Sequence, residues 1–216
     1  MSEPTPTARD SDPASDGGRG TGRDTAGRDY AERLNRLERA RWKQVLDVQR
    51  PYRWNLRRLG LGRCLDVGCG IGRNLLNLGP EAVGVDHNAD AIKVCRERGL
   101  VAYTTDEIAQ ADLPVGGFDS MLIAHVLEHV DAAVGDQIIK DYLPYLKPGA
   151  KVVVITPQEA GFATDATHIR FVDHAGVVAH AGRTGLTVEK AYSFPFPRVV
   201  GRVFPYNEFV SVLRTA

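Results

Sequence analysis

The chain has 216 residues, enough for one ordinary domain with an appendage. Its 43% hydrophobic and 25% charged residues are the balance of a soluble globular protein, and a formal net charge of zero argues neither for nor against a nucleic-acid partner. No apolar run approaches the ~20 residues of a membrane helix, and Cys64, Cys69 and Cys95 form no CxxC pair, so neither a membrane span, a disulfide framework nor a cysteine zinc site is expected.

Residues 1–29 contain no Leu, Ile, Val or aromatic residue and have nothing to bury, so a disordered tail is expected there. The start is polar and acidic, unlike a secretory leader, which leaves a reducing cytoplasm as the expected compartment. From Tyr30 the apolar residues Leu34, Leu37, Trp42, Val45 and Leu46 recur at helical spacing, with Asp29 as N-cap. Pro51 is expected to end or kink this helix, and a second carries Tyr52, Trp54, Leu56 and Leu59. Residues 30–59 thus read as a helical cap, basic on balance through Arg33, Arg36, Arg39, Arg41, Lys43, Arg50, Arg53, Arg57 and Arg58. Such a face is either simply solvated or receives an anionic acceptor.

Beyond Arg63 strand-like and helix-like stretches alternate. Strands are expected at 64–67, 82–85, 101–103, 118–124 and 151–155, with closing strands at 186–192 and 208–213. Helices are expected at 73–78, 88–98 (ended by Gly99), 133–146 (stopped by Lys147-Pro148-Gly149) and 173–182. This alternation predicts an α/β fold with a mainly parallel sheet covered on both faces, occupying residues 60–216.

The segment Leu65-Asp66-Val67-Gly68-Cys69-Gly70-Ile71-Gly72-Arg73-Asn74 carries the most chemistry. A strand entering alternate glycines lets backbone approach a ligand closely. A dinucleotide loop would read GxGxxG, but Arg73 stands where its third glycine should fall. The carboxylate of Asp66 would repel a pyrophosphate, whereas it suits a ligand bearing a cationic amino group. Twenty residues on, Asp86 ends the second strand in Val83-Gly84-Val85-Asp86, where an acid can accept hydrogen bonds from both ribose hydroxyls of an adenosine moiety.

Together LDVGCGIGRN, VGVDHNADAI, FDSMLIAHVLEHV and YLKPGAKVVVITP resemble the class I S-adenosylmethionine-dependent methyltransferases, particularly small ones similar to ubiquinone-biosynthesis methyltransferases. The resemblance runs from about Gly60 onward. It implies a Rossmann-like seven-stranded sheet whose last strand is antiparallel, with S-adenosylmethionine as cofactor. It also implies that Asp66, Gly68, Gly70 and Gly72 line the methionine and ribose, that Asp86 and the adjoining His87 hold the ribose, and that Thr105 and Asp106 lie near adenine. Ala124 and His125 would lie beside the methyl sulfonium.

His125-Val126-Leu127-Glu128-His129 also spells HxxEH, a zinc-hydrolase pattern, but that chemistry needs the motif within a helix and a third ligand downstream. Here the motif follows an apolar strand directly, so no metal is expected. His129 is kept as a second catalytic candidate, the alternative being a helix-starting residue satisfied by backbone. The polar loop after the fifth strand holds His168, the leading candidate for a general base or substrate-orienting group, a backbone-bonded loop histidine being the alternative. Arg170 would pair with an anionic acceptor group or with Asp165 or Asp173. His87, His174 and His180 otherwise read as structural or surface residues. The acceptor is expected to be a small molecule, anionic if the basic helices receive it, methylated on O or N. No nucleic-acid recognition module is recognisable, and oligomeric state is not readable. A cofactor-binding module without catalysis is the rival class.

Overall fold

The computed structural model describes residues 49–216. The expected tail at 1–29 and the first cap helix, with its N-cap Asp29, lie outside the described residues.

Seven strands form one sheet in the order β3-β2-β1-β4-β5-β7-β6. They are β1 (Cys64–Val67), β2 (Val83–Asp86), β3 (Ala102–Thr104), β4 (Phe118–Ala124), β5 (Leu146–Pro157), β6 (Thr187–Phe194) and β7 (Glu208–Arg214). All neighbours pair in parallel except around β7, which is antiparallel to both β5 and β6. Side chains alternate between two apolar layers: Val152 and Val154 of β5 join one cluster, Val153 and Ile155 the other, and Met121 and Ile123 alternate likewise with Leu122 and Ala124 in β4. That is why the central strands read as continuous hydrophobic runs.

Each layer is closed by helices. On one side lie α3 (Thr105–Ile108), α4 (Ala132–Tyr142) and α6 (His174–Thr184), through Ile108, Ile139, Val177 and Ala181. On the other lie α1 (Arg50–Leu59) and α2 (Ala89–Glu97), through Leu56, Ile92 and Cys95. The short α5 (Glu159–Phe162) follows β5. Helix α1 is fastened to the sheet by the Tyr192 hydroxyl, which donates to Asn55 Oδ1 at 2.8 Å, and by Lys151, which donates to the carbonyl of Leu59.

Three boundaries differ from expectation, each for a local reason. Pro51 sits in the first turn of α1, where its missing N–H is no loss, and the helix it was expected to end or kink lies outside the described residues. The helix expected at 73–78 is one 3-10 turn, Leu75–Asn77, because Gly79-Pro80 follows too closely for more. The helix expected to reach residue 146 stops at Tyr142 and tightens into a 3-10 turn, Leu143–Tyr145, that contains Pro144, so β5 begins earlier than expected. Helix α3 was not anticipated. It starts with a capping box in which Thr104 accepts from Glu107 N and Glu107 reciprocates to Thr104 N.

No helix among the described residues is long and apolar enough to cross a membrane.

Candidate active site

The sheet order reverses between β1 and β4, and the carboxyl ends of these strands form the crevice where such sheets bind ligands. The glycine loop leaves β1 here. Gly68, Gly70 and Gly72 have φ of +75°, +53° and +81°, a left-handed region that side-chain-bearing residues rarely occupy. Gly68 N and Cys69 N donate to the carbonyl of Val85 at 2.8 and 3.1 Å. Gly70 N donates to Asp86 Oδ2 at 2.8 Å, while Asp86 Oδ1 accepts from Asn88 N at 2.9 Å. Asp86 therefore ties the loop to the start of α2. Beneath it Asp66 is wholly buried, and neither of its carboxylate oxygens has a partner among the described residues. A Cβ added at Gly70 would project into open space, whereas one at Gly68 would strike Val126 Cγ2 at 2.3 Å.

At the end of β4 the chain turns at His125, whose φ of +59° makes it the one non-glycine residue in the left-handed region among those described. Two carboxylates hold the ring: Nδ1 lies 3.2 Å from Glu128 Oε1 and Nε2 lies 2.9 Å from Glu208 Oε1. Burial works against the charged ring, but both carboxylates outweigh it and push His125 up to about 10, so it stays protonated at neutral pH. Antiparallel β7 makes this possible, since its first residue, Glu208, pairs with Pro157 at the carboxyl end of β5.

The two catalytic candidates meet. The rings of His129 and His168 lie 4.7 Å apart between centroids, although 39 positions separate them. His129 Nδ1 faces the Thr167 carbonyl at 3.2 Å, and His168 Nδ1 faces the Phe162 carbonyl at 2.8 Å. Burial, countered by Glu128 and reinforced by His168, holds His129 below its ordinary value. Arg170 does not pair with Asp165 or Asp173 as expected. It donates to the carbonyls of Val130 and Leu127 at 3.2 and 3.1 Å and lies 2.9 Å from His180 Nε2. Ile169 N and Arg170 N both donate to the carbonyl of Glu128. These bonds clamp the loop after β5 onto the turn after β4.

A family model described as a methyltransferase domain matches residues 26–188, about three quarters of the chain. The chain belongs to the class I S-adenosylmethionine-dependent methyltransferase family. No curated protein sequence matches it. The fold of this methyltransferase is similar to that of a possible histamine N-methyltransferase from Thermotoga maritima, with a TM-score of 0.61 and 20% identity over 86% of this chain and 97% of that one. It is similar too to a putative methyltransferase from Haloferax volcanii solved with an activator protein, with a TM-score of 0.66 and 17% identity over 90% and 97%. A methyltransferase from Archaeoglobus fulgidus gives 0.57 and 21% over 80% and 99%.

The residues of this methyltransferase fit the cofactor. An unpartnered buried carboxylate at Asp66 and the open space before Gly70 are features that a cationic, close-approaching ligand accounts for. Of the other sequence candidates, Ala124 ends β4 and is buried, and His87 is 57% exposed with Nδ1 3.4 Å from Asp86 Oδ1. Thr105 and Asp106 are exposed in the first turn of α3, beside β2 because Thr104 pairs with Asp86. Two residues were missed as site members. Glu128 stood inside the HxxEH string, but nothing in the string says that its carboxylate is buried. Glu208 lies 83 positions from His125 and carries no local signal. The HxxEH string itself forms no zinc-hydrolase face: His125 is in a left-handed turn and only Leu127–His129 makes a 3-10 turn.

Burial and then the neighbouring charge of Asp86 raise Asp66 to about 7. An acid raised above its unfolded value of 3.8 keeps its proton longer in the folded chain. The ligand-free protein is therefore expected to lose stability as pH climbs from about 4 to 7 and to hold level above that. Affinity for S-adenosylmethionine, with its cationic amino group, is expected to rise over the same interval, approaching tenfold per pH unit below 7. Calorimetry from pH 5.5 to 8.5 reads the trend; an unchanged slope in Asp66→Asn would assign it elsewhere.

Proposed function

We propose that this protein is an active methyltransferase that moves the methyl group of S-adenosylmethionine to an O or N atom of a small acceptor. The observation that carries the reading is the glycine loop pinned by Asp86 above the unpartnered Asp66. S-adenosylmethionine supplies an electrophilic methyl on an excellent leaving group. What remains for the chain is to hold that group in line with the acceptor and to exclude water. Asp66 and Gly70 receive the amino-acid end, Asp86 and His87 the ribose, Thr105 and Asp106 the adenine edge. Ala124 and His125 stand at the reacting end, where the locked, protonated His125 orients and takes no proton.

The paired His129 and His168 are the groups able to accept a proton from a hydroxyl acceptor or an ammonium. Helix α1 presents Arg50, Arg53, Arg57 and Arg58, which supports an anionic acceptor. The three buried, unbridged cysteines suit a cytoplasmic enzyme.

Titration with S-adenosylmethionine and S-adenosylhomocysteine, followed by an acceptor screen read as S-adenosylhomocysteine release, tests the assignment. Saturable binding with no turnover on any acceptor would leave a binding module instead. His168→Ala is expected to lower turnover by about 10²-fold or more with cofactor affinity unchanged. Unchanged turnover would remove His168 from catalysis.

A further inference from the structure

Glu128, His129 and His168 each offer one ligand atom, and these atoms lie within 4.8 Å of one another, the one such group among the described residues. We propose that the three residues form a binding site for a divalent transition metal, with zinc as the best-matched ion.

The environment of each side chain points the same way. Glu128 is fully buried; its Oε1 is held by His125 Nδ1, while Oε2 has no partner among the described residues. A buried carboxylate oxygen without a hydrogen bond is costly unless a cation or donor meets it. Both histidines turn Nδ1 toward a backbone carbonyl, at Thr167 and Phe162, which fixes the proton on Nδ1 and leaves the lone pair on Nε2. Metal-bound histidines are oriented by such an outer hydrogen bond. The Glu128 carboxylate has its own outer partner in His125, steadied in turn by Glu208.

Two imidazoles and one carboxylate are the donor set of sites that keep a position open, and such donors favour zinc over calcium or magnesium. Ligand bonds of about 2.0–2.2 Å require these atoms to draw together by roughly an ångström, within the reach of side-chain torsions. The loops that must hold still are already joined by Arg170 and by the two amides donating to the Glu128 carbonyl. The site departs from the expectation of no metal because Glu128 and His129 find their third ligand in His168, and not in His125.

With the ion bound, His129 and His168 serve as ligands in place of the proton-accepting role they would have in the metal-free chain. An open position at this edge suits an acceptor hydroxyl, whose proton a bound metal would make easier to lose to solvent. This last consequence rests on the methyltransferase reading; the site itself does not.

The test is titration of the chelator-stripped full chain with Zn²⁺ and, separately, with Co²⁺. One ion per chain and the visible bands of tetrahedral or five-coordinate Co²⁺ are expected, with no dependence on S-adenosylmethionine. His168→Ala and His129→Ala are expected to weaken binding by more than the roughly 10–100-fold that losing an outer partner costs. His174→Ala, whose Nδ1 meets Ser211 Oγ outside the cluster, is expected to bind normally. Wild-type protein that binds neither ion, or binding that both cluster variants keep, overturns the site. S-adenosylhomocysteine titration of the stripped protein separates the two readings. Cofactor binding without metal binding refutes only the metal site, and metal binding without cofactor binding refutes only the methyltransferase reading.

Discussion

Replacing Asp86 with alanine is expected to weaken S-adenosylhomocysteine binding by on the order of 100-fold, the worth of two hydrogen bonds to a charged acceptor. The loss has two sources. Asp86 is nine-tenths buried at the end of β2, with an oxygen on each side already engaged by Gly70 N and Asn88 N. Alanine removes the acceptor proposed for the ribose and also frees the loop that the cofactor must meet in a fixed shape. Asp86→Asn should fall short of rescue, because one of the two loop amides would then face an amide NH₂. The pairing of β1, β2 and β4 does not depend on this side chain, so both variants should melt cooperatively. Calorimetric titration beside a thermal melt reads both quantities. A folded Asp86→Ala protein with wild-type affinity would remove Asp86 from the cofactor site.

The second large effect lies in the glycine loop, where two neighbouring substitutions should fail differently. At Gly68, alanine meets Val126 Cγ2 at 2.3 Å in a left-handed backbone. Val126 is β-branched and packs against the core, so it has little room to turn away. Left-handed strain of about 1–2 kcal/mol and overpacking of about 1–3 kcal/mol together predict a loss of roughly 2–5 kcal/mol. Gly70→Ala has the same backbone strain with no neighbour within 4 Å, so it should cost only about 1–2 kcal/mol. Its methyl group nevertheless enters the space assigned to the cofactor, and binding should collapse. Denaturant melts and titrations of both variants, with Gly68→Ala/Val126→Ala to relieve the clash, decide the matter. Equal stability of the two single variants would be inconsistent with the loop as described.

The parts legible in the sequence are those written in short-range pattern. The strand Cys64–Val67 and its glycines, the acid closing β2, and the apolar run of β4 each announce themselves within ten residues. Contacts that join distant segments do not. Arg170 reads as an exposed cation beside two aspartates, and only folding brings it to the carbonyls of Leu127 and Val130. The same holds for the meeting of His129 with His168, the one plausible alone as a helix-starting residue satisfied by backbone and the other as a loop histidine bonded to backbone; both face a backbone carbonyl through Nδ1. Helix α3 was missed because Thr104 to Ile108 is too short to show a period, although the Thr-x-x-Glu box was present.

The position of β7 has a consequence for how the chain reaches this structure. The strand made last among those described is inserted between β5 and β6, so β6 emerges from the ribosome before the strand that joins it to the sheet exists. Until residues 208–214 arrive, β5 and β6 each expose a row of unpaired amides and carbonyls, β5 beside the apolar run Val152–Ile155. Synthesis thus passes through a stage at which two sticky edges wait for one closing element. Chaperone dependence and sensitivity to truncation should concentrate there, far in sequence from the glycine loop that gives the family away.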